Sequence, residues 1–235
     1  MIELAVACAV FLSIHLLIAG TQVRDGVVAA IGEGPYLGAF SLASIAGIVW
    51  LCVSFNAALA EDNPQLWYLG EGVKHAGGIV MALAFLMAVP GLLTPNPTSV
   101  GQAALAGRDD VARGMLRITR HPFLWGVAIW SCFHLLANGD LASAMFFGTF
   151  FVLALAGTMS IDDKRKRRAP EEWSRFAAVT SNVPFGAILT GRNRLSLGEL
   201  ATWRQLVAII AFASIFLTHH IVFGVSPFPG GRVPF

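Results

Sequence analysis

Five of the six histidines, His15, His75, His134, His219 and His220, fall inside long apolar stretches of the 235-residue chain. An ionisable side chain at membrane depth is costly and asks for a functional reason. Taken singly, each reads as a hydrogen-bonded packing residue. Taken together they point to a buried metal or haem site, because neutral imidazole is a common ligand of haem iron. Zinc is disfavoured: the histidines are scattered, there is no His-x-x-x-His pair or Cys-x-x-Cys clip, and no intramembrane carboxylate completes a set. Copper stays open. Ser131 and Cys132 precede His134 on one apolar stretch, but that placement alone does not build a nucleophile, a base and an orienting group. The three cysteines, Cys8, Cys52 and Cys132, are odd in number and lie in apolar surroundings, so they read as small packing residues.

These histidines need helices to hold them. Windows of about 19 residues give six candidate spans, near 2–20, 37–60, 72–93, 122–137, 141–160 and 203–225, the fourth of them short. The expected fold is an all-α, polytopic transmembrane bundle forming one domain over 1–235. The first stretch has Glu3, no basic n-region and no clear cleavage site, so it reads as a retained helix. With six spans, every basic residue except Lys74 and Arg232 falls on the side of the 1–2, 3–4 and 5–6 connections. The positive-inside rule then places those connections in the cytoplasm and both termini outside. At about 1.5 Å per residue, His15 lies near the cytoplasmic end of its span, while His75, His134, His219 and His220 lie nearer the outer ends. On depth, His134 pairs better with His75 or His219 than with His15.

Hydrophobic residues make up 56% and charged residues 13%, which excludes an ordinary soluble domain, and the net charge of +2 argues against nucleic acid as main partner. Tyr36, Trp67, Tyr68 and Trp203 fall near span ends, where amphipathic rings prefer to sit. Asn138-Gly139-Asp140 is a three-residue turn that forces an antiparallel hairpin. Arg113, Arg117 and Arg120 recur at helical spacing, which predicts one face of a surface helix. The last long connection opens with the basic run 164–168. Pro170-Glu171-Glu172-Trp173 then predicts an interfacial helix laying Trp173 and Phe176 on the membrane. Ser196-Leu197-Gly198-Glu199 reads as a capping box for the last span. Positive-inside anchoring is the plain reading of the arginines.

The segments Arg117-Ile-Thr-Arg-His121-Pro122-Phe-Leu-Trp-Gly and Trp130-Ser-Cys-Phe-His134-Leu-Leu-Ala-Asn138-Gly139-Asp140 resemble the central signature of the NnrU family. Phe-Leu-Ser-Ile-His15, Asn96-Pro-Thr-Ser-Val-Gly101 and Thr180-Ser-Asn-Val-Pro-Phe185 add to the likeness, which runs over nearly the whole chain. The family includes a haem b membrane isomerase that turns one central double bond of 15-cis-ζ-carotene through reduced iron with no net redox change. The resemblance therefore implies haem b, an apolar small-molecule substrate and a multi-pass protein of a bacterial inner membrane, with a redox partner and membrane lipid around it. It implies iron ligands at His15 and His134, which overrides the depth ranking, with His75 and His219 as a reserve pair. The isomerase's cysteine three residues before the histidine is Ser131 here, with Cys132 shifted by one, which puts a thiolate role in doubt. Arg117 and Arg120 are expected near the haem propionates if the ring lies low, and His121 at a helix start or surface contact.

Two other functions fit the same residues. Other NnrU members are associated with nitrite and nitric oxide reduction, which implies a haem-dependent accessory factor, carrier or sensor. Separately, Arg120-His121-Pro122, an apolar hairpin, Asp162-Asp163, Trp173-x-x-Phe176 and Val183-Pro184-Phe185 are similar to the membrane methyltransferases of isoprenylcysteine and phospholipids, where such a segment cradles S-adenosylmethionine. That family has glutamate where this chain has aspartate, and the plain reading of Asp162 and Asp163 is that they offset the basic run. The isomerase-like haem protein is the leading expectation.

Overall fold

Backbone N–H and C=O groups in an apolar stretch have no water to bond, and helices satisfy them internally. The computed structural model describes residues 1–108 and 110–231; Arg232, assigned above to the outer side, lies outside them. Helix α1 (Ile2–Leu12) continues into a π-helical stretch, Ser13–Ile18, and bends by 78° into α2 (Val23–Ile31). There follow α3 (Glu33–Leu59), α4 (Gly72–Leu93), a single turn α5 (Met115–Ile118), α6 (Pro122–Asn138) and α7 (Leu141–Arg168). Short helices α8 (Pro170–Val179), α9 (Gly186–Leu189) and α10 (Leu197–Leu200) lead to α11 (Trp203–Phe223). Among the described residues the one β pairing is an isolated bridge between Gln65 and Asp140.

The six apolar stretches are all helical, but they are not six equal spans. Helices α3, α4, α7 and α11 are long and apolar enough to cross a membrane, and the bent α1–α2 pair makes a fifth if it is one span. Helix α6 has 17 residues and falls short of a full bilayer thickness by itself. The protein is a multi-pass membrane protein, with fewer unbroken spans than the sequence suggests.

The helices stand side by side in the order α11, α4, α6, α7, α1, with α3 against α1 and α7. Small residues set the closest approach, as is usual where lipid gives helices little hydrophobic reason to associate. A Cβ added at Gly126 would lie 2.6 Å from the Ala88 Cβ, and one at Gly91 would lie 2.4 Å from the Phe123 backbone nitrogen. The α6–α7 hairpin forms as expected. Gly139 ends α6 in the left-handed region at φ 74°, and the Asp140 side chain caps α7 by accepting from Ser143 N–H at 2.8 Å. Asn63 donates to Asp140 at 2.8 Å and accepts from Ala142 N–H at 2.9 Å, while Leu66 N–H bonds Gly139 O at 2.8 Å. We call this the hairpin end; the opposite one, carrying Arg24, Arg117, Arg120 and residues 164–168, is the basic end.

Four local expectations change. The run 164–168 is the last turn and a half of α7 and not a connection, a place where cations meet the negative end of the helix dipole. Arg113, Arg117 and Arg120 do not share a helix face: Gly114 sits at φ 54° and Thr119 is extended, which confines α5 to one turn. Helix α8 does begin at Pro170, but Trp173 and Phe176 are buried in a cluster with Ala106 and do not lie on the membrane. Ser196 makes no side-chain cap; Thr202 caps α11 by accepting from Arg204 N–H, and Glu199 has been drawn to Arg117.

Candidate functional site

At the basic end two loops reach one carboxylate of α7 and a third braces them. Asp162 accepts from Arg120 Nε at 2.9 Å and Nη2 at 2.6 Å, from His121 Nε2 at 2.7 Å and from Asn182 Nδ2 at 3.3 Å. The Arg120 carbonyl is in turn bound by Asn96 Nδ2 and Thr98 Oγ1, each at 3.0 Å, and the Arg120 guanidinium lies 5.4 Å from the Trp173 ring centre. The loop 96–101, the Arg-His-Pro segment and the loop 180–185 therefore meet in a buried polar knot. His121 is fully buried within it, and burial pushes its imidazole below the ordinary range against the opposing pull of Asp162. In a neutral ring whose Nε2–H donates to Asp162, Nδ1 carries the lone pair, and it has no partner among the described residues. A second pair lies nearby: Arg117 binds Glu199 through Nε at 2.7 Å and Nη2 at 2.8 Å, and Gly114 N–H donates to Glu199 at 2.7 Å. Those bonds draw the Glu199 carboxyl down to about 2.

The other histidines lie away from this knot, His15 midway along the bundle and His75, His134 and His219 toward the hairpin end. His134 Nδ1 lies 2.8 Å from the Trp130 carbonyl, His15 Nδ1 2.8 Å from the Phe11 carbonyl and His219 Nδ1 2.7 Å from the Val225 carbonyl. A carbonyl only accepts, so each Nδ1 carries the proton and each neutral ring presents its lone pair at Nε2. This is the tautomer an Nε2 metal ligand needs, held by the outer partner such ligands use. His15 Nε2 lies 3.3 Å from Ser44 Oγ; the Nε2 atoms of His134 and His219 have no partner among the described residues. His134 is further fixed by stacking on Phe147 at 4.8 Å between ring centres, with Trp130 at 5.2 Å.

Neighbouring contacts give the heights. Cys8 reaches Met145 O, Phe11 meets Phe150, and Ser160 reaches Gly20 O, so α1 and α7 run parallel and His15 lies about one turn beyond Phe150. His134 stacks on Phe147, which leaves the two rings roughly 10 Å apart in height at about 1.5 Å per residue. Phe11, Phe150 and Trp130 form a continuous aromatic contact between them. On the other flank Gly77 faces Phe133 and Gly78 faces Phe216, which brings His75, His134 and His219 to a common height on α4, α6 and α11. His134 and His219 are near enough to interact electrostatically, and His75 is exposed. No group of three or more His, Cys, Asp or Glu able to hold a metal ion occurs among the described residues.

The structure thus separates residues that the sequence reading grouped. Arg117, Arg120 and His121 lie at the basic end, about 20 Å from the level of His134, and both guanidinium groups are committed to carboxylates. Ser131 is buried with its hydroxyl donating to Val127 O at 2.7 Å, and Cys132, one position on, is half-buried on an adjacent face of α6. Sequence reasoning missed Asp162 as the centre of the knot. The signal was present in its pairing with Arg-His-Pro, but the charge-offset reading obscured it.

The model of the family described as NnrU protein matches residues 3–227. Among curated proteins, the chain is similar to 15-cis-zeta-carotene isomerase, chloroplastic, of Arabidopsis thaliana, 29% identical over 139 residues, which cover 57% of this chain and 36% of that one. The protein of the same name from Zea mays is 26% identical over 137 residues, 57% of this chain and 37% of that one. The matched region thus spans little more than a third of the length of these relatives. No solved structure matches.

Proposed function

The chain belongs to the NnrU family, and from that premise we propose that it is a membrane isomerase that turns one cis double bond of a linear apolar polyene, such as 15-cis-ζ-carotene, to trans with haem b as cofactor. The observation that carries this reading is His134: it sits in the stretch that resembles the family signature, its Nδ1 is tied to the Trp130 carbonyl, and its Nε2 has no partner among the described residues. The donor chemistry fits an iron porphyrin. His134 would hold the iron, with His219 the partner favoured by common height and His15 the partner favoured by the family resemblance; His75 is exposed and ranks last. Haem b bound there would supply an iron able to accept electron density transiently from a polyene, without net redox change.

The chain's own part is positioning and exclusion. The Trp130 carbonyl fixes the His134 tautomer and ring direction, so little reorganisation is needed when Nε2 binds. Phe147, Trp130 and Phe133 surround the imidazole and keep water from it, and the same apolar walls suit a hydrocarbon substrate. A redox partner would keep the iron reduced, and the gathering of basic residues at one end supports a cytoplasmic side for that end in a bacterial inner membrane. The methyltransferase reading gains nothing from the geometry, because the acceptor positions of Asp162 are filled by Arg120, His121 and Asn182.

The test is turnover by the purified, haem-loaded protein. Reduced with dithionite, it should convert 15-cis-ζ-carotene, while the oxidised protein and the His134→Ala variant should not. Haem-loaded, reduced protein that binds nitric oxide yet leaves the carotene unchanged would favour the accessory role in nitrite and nitric oxide reduction. Failure to take up haem would overturn both.

A further inference from the structure

The 78° break between α1 and α2 and the last turns of α7 enclose a cleft of roughly 390 Å³ lined by Thr21, Gln22, Asp25, Lys164, Arg167 and Arg168. Its charges do not balance. Asp25 is the one carboxylate among the lining residues and is engaged by Arg168, and Arg24 behind it takes Glu33 at 2.8 Å. Lys164 donates to the Ala19 carbonyl, a neutral partner, and Arg167 has no hydrogen bond or ion pair among the described residues. Arg165, on the same turn, bonds Ser99 O at 2.8 Å while its Nε is buried without a partner. Elsewhere at this end the buried arginines are matched, as Arg117 is by Glu199 and Arg120 by Asp162. A concave cluster of cations left unmatched beside an apolar surface is a site for an anion.

Place and surroundings identify the anion. The apolar part of α7 ends at Ile161, so the cleft lies at the level where hydrocarbon gives way to head groups. Helix α2 leaves α1 at a steep angle there, with Val23 and Ile31 exposed, as an interfacial helix does. Immediately before the cleft, Leu17 and Ile18 are exposed apolar residues on the π-helical stretch, a surface that suits acyl chains and gives a free inorganic ion nothing to gain.

We propose that the cleft between the α1–α2 break and the end of α7 binds the phosphate head of an anionic phospholipid, held by Lys164 and Arg167 with the Gln22 amide beside them and its acyl chains along Leu17 and Ile18. The site is independent of the histidines and does not rest on the isomerase reading.

The test uses the full chain in detergent, mixed with phosphatidylglycerol or phosphatidylcholine and read by native mass spectrometry. The wild type should retain phosphatidylglycerol in preference to phosphatidylcholine. The double variant Lys164→Gln, Arg167→Gln should lose roughly tenfold in affinity, and the control Arg175→Gln, Arg194→Gln, which removes equal charge elsewhere, should retain it. Should the double variant fail to fold, Arg167→Gln alone, which loses no bond among the described residues, should still weaken retention severalfold. Equal retention by the control and the cleft variant would overturn the proposal, as would displacement of the lipid by millimolar inorganic phosphate, which would mark a free-phosphate site instead.

Discussion

At the basic end, Asp162 is saturated by Arg120, His121 and Asn182, and the loops that bring those residues are themselves tied to one another. At the hairpin end, His134 is held by one bond to a carbonyl and a stack of rings, and its second nitrogen has no partner among the described residues. Both regions hold an imidazole on or beside the short helix α6, the buried His121 before its first turn and the half-buried His134 near its last. The contrast separates two uses of a polar group in an apolar protein. A carboxylate such as Asp162, whose acceptor positions are filled from within, fastens chain segments together; an imidazole such as His134, oriented at one nitrogen and without a partner at the other among the described residues, is prepared to bind something, a state that His121 shares at Nδ1 but only in full burial. Stability should therefore follow the first end and cofactor uptake the second.

The largest effect should come from Asp162→Ala. It strands the Arg120 guanidinium and the His121 imidazole in a buried site, which costs roughly 3 kcal/mol or more. The thermal midpoint in detergent should fall sharply or the protein should fail to accumulate; an unfolding curve like the wild type's would remove the distinction between the ends. Gly126→Leu comes next, because even a Cβ there would meet the Ala88 Cβ at 2.6 Å, and pushing α4 from α6 should cost roughly 2 kcal/mol. Gly139→Ala sharpens the comparison at the hairpin end, where φ is 74° and the added carbon would meet Trp67 O at 2.2 Å. Its cost should be about 1 to 2 kcal/mol, read as faster proteolysis of the loop near residue 66.

The smallest effect concerns pH. Glu199 is held at about 2 by Arg117 and the Gly114 N–H, against an ordinary value of 4.5. The stabilisation is fully present above pH 4.5, declines as the pH falls from there, and is gone below about 2. Glu199→Gln should lower the midpoint only slightly at neutral pH, by less than about 1 kcal/mol for a half-exposed pair, and the two curves should converge in acid. Curves that stay parallel down to pH 2 would mean that the Arg117 pair contributes no such term.

What could be read from the residues follows the range of the interactions. Helix α4 occupies 72–93 as its hydropathy predicts, and the Asn138-Gly139-Asp140 turn makes the expected hairpin, because both signals are local. The capping-box reading fails because Glu199 finds a guanidinium 82 positions away that outbids a backbone N–H three positions back. Trp173 and Phe176 are amphipathic at helical spacing, yet only the fold reveals that protein and not lipid covers them. Asp162 is visible beside Arg-His-Pro in the sequence, but its central place is not, because its partners lie 41 and 42 positions before it and 20 after. At the candidate site the residue types were legible and their company was not. The sequence offered Arg117 and Arg120 to haem propionates if the ring lay low, whereas the structure commits both to carboxylates at the end of α6 opposite His134.

The account turns on His134, and the most direct measurement is the absorption spectrum of the purified protein after incubation with haem b. The wild type should show a Soret band that shifts on reduction. His134→Ala should lose the band while its thermal unfolding stays within a few degrees of the wild type, and His121→Gln should keep the band. A Soret band unchanged in His134→Ala, or one lost in His121→Gln at unaltered stability, would contradict the assignment of binding to the hairpin end.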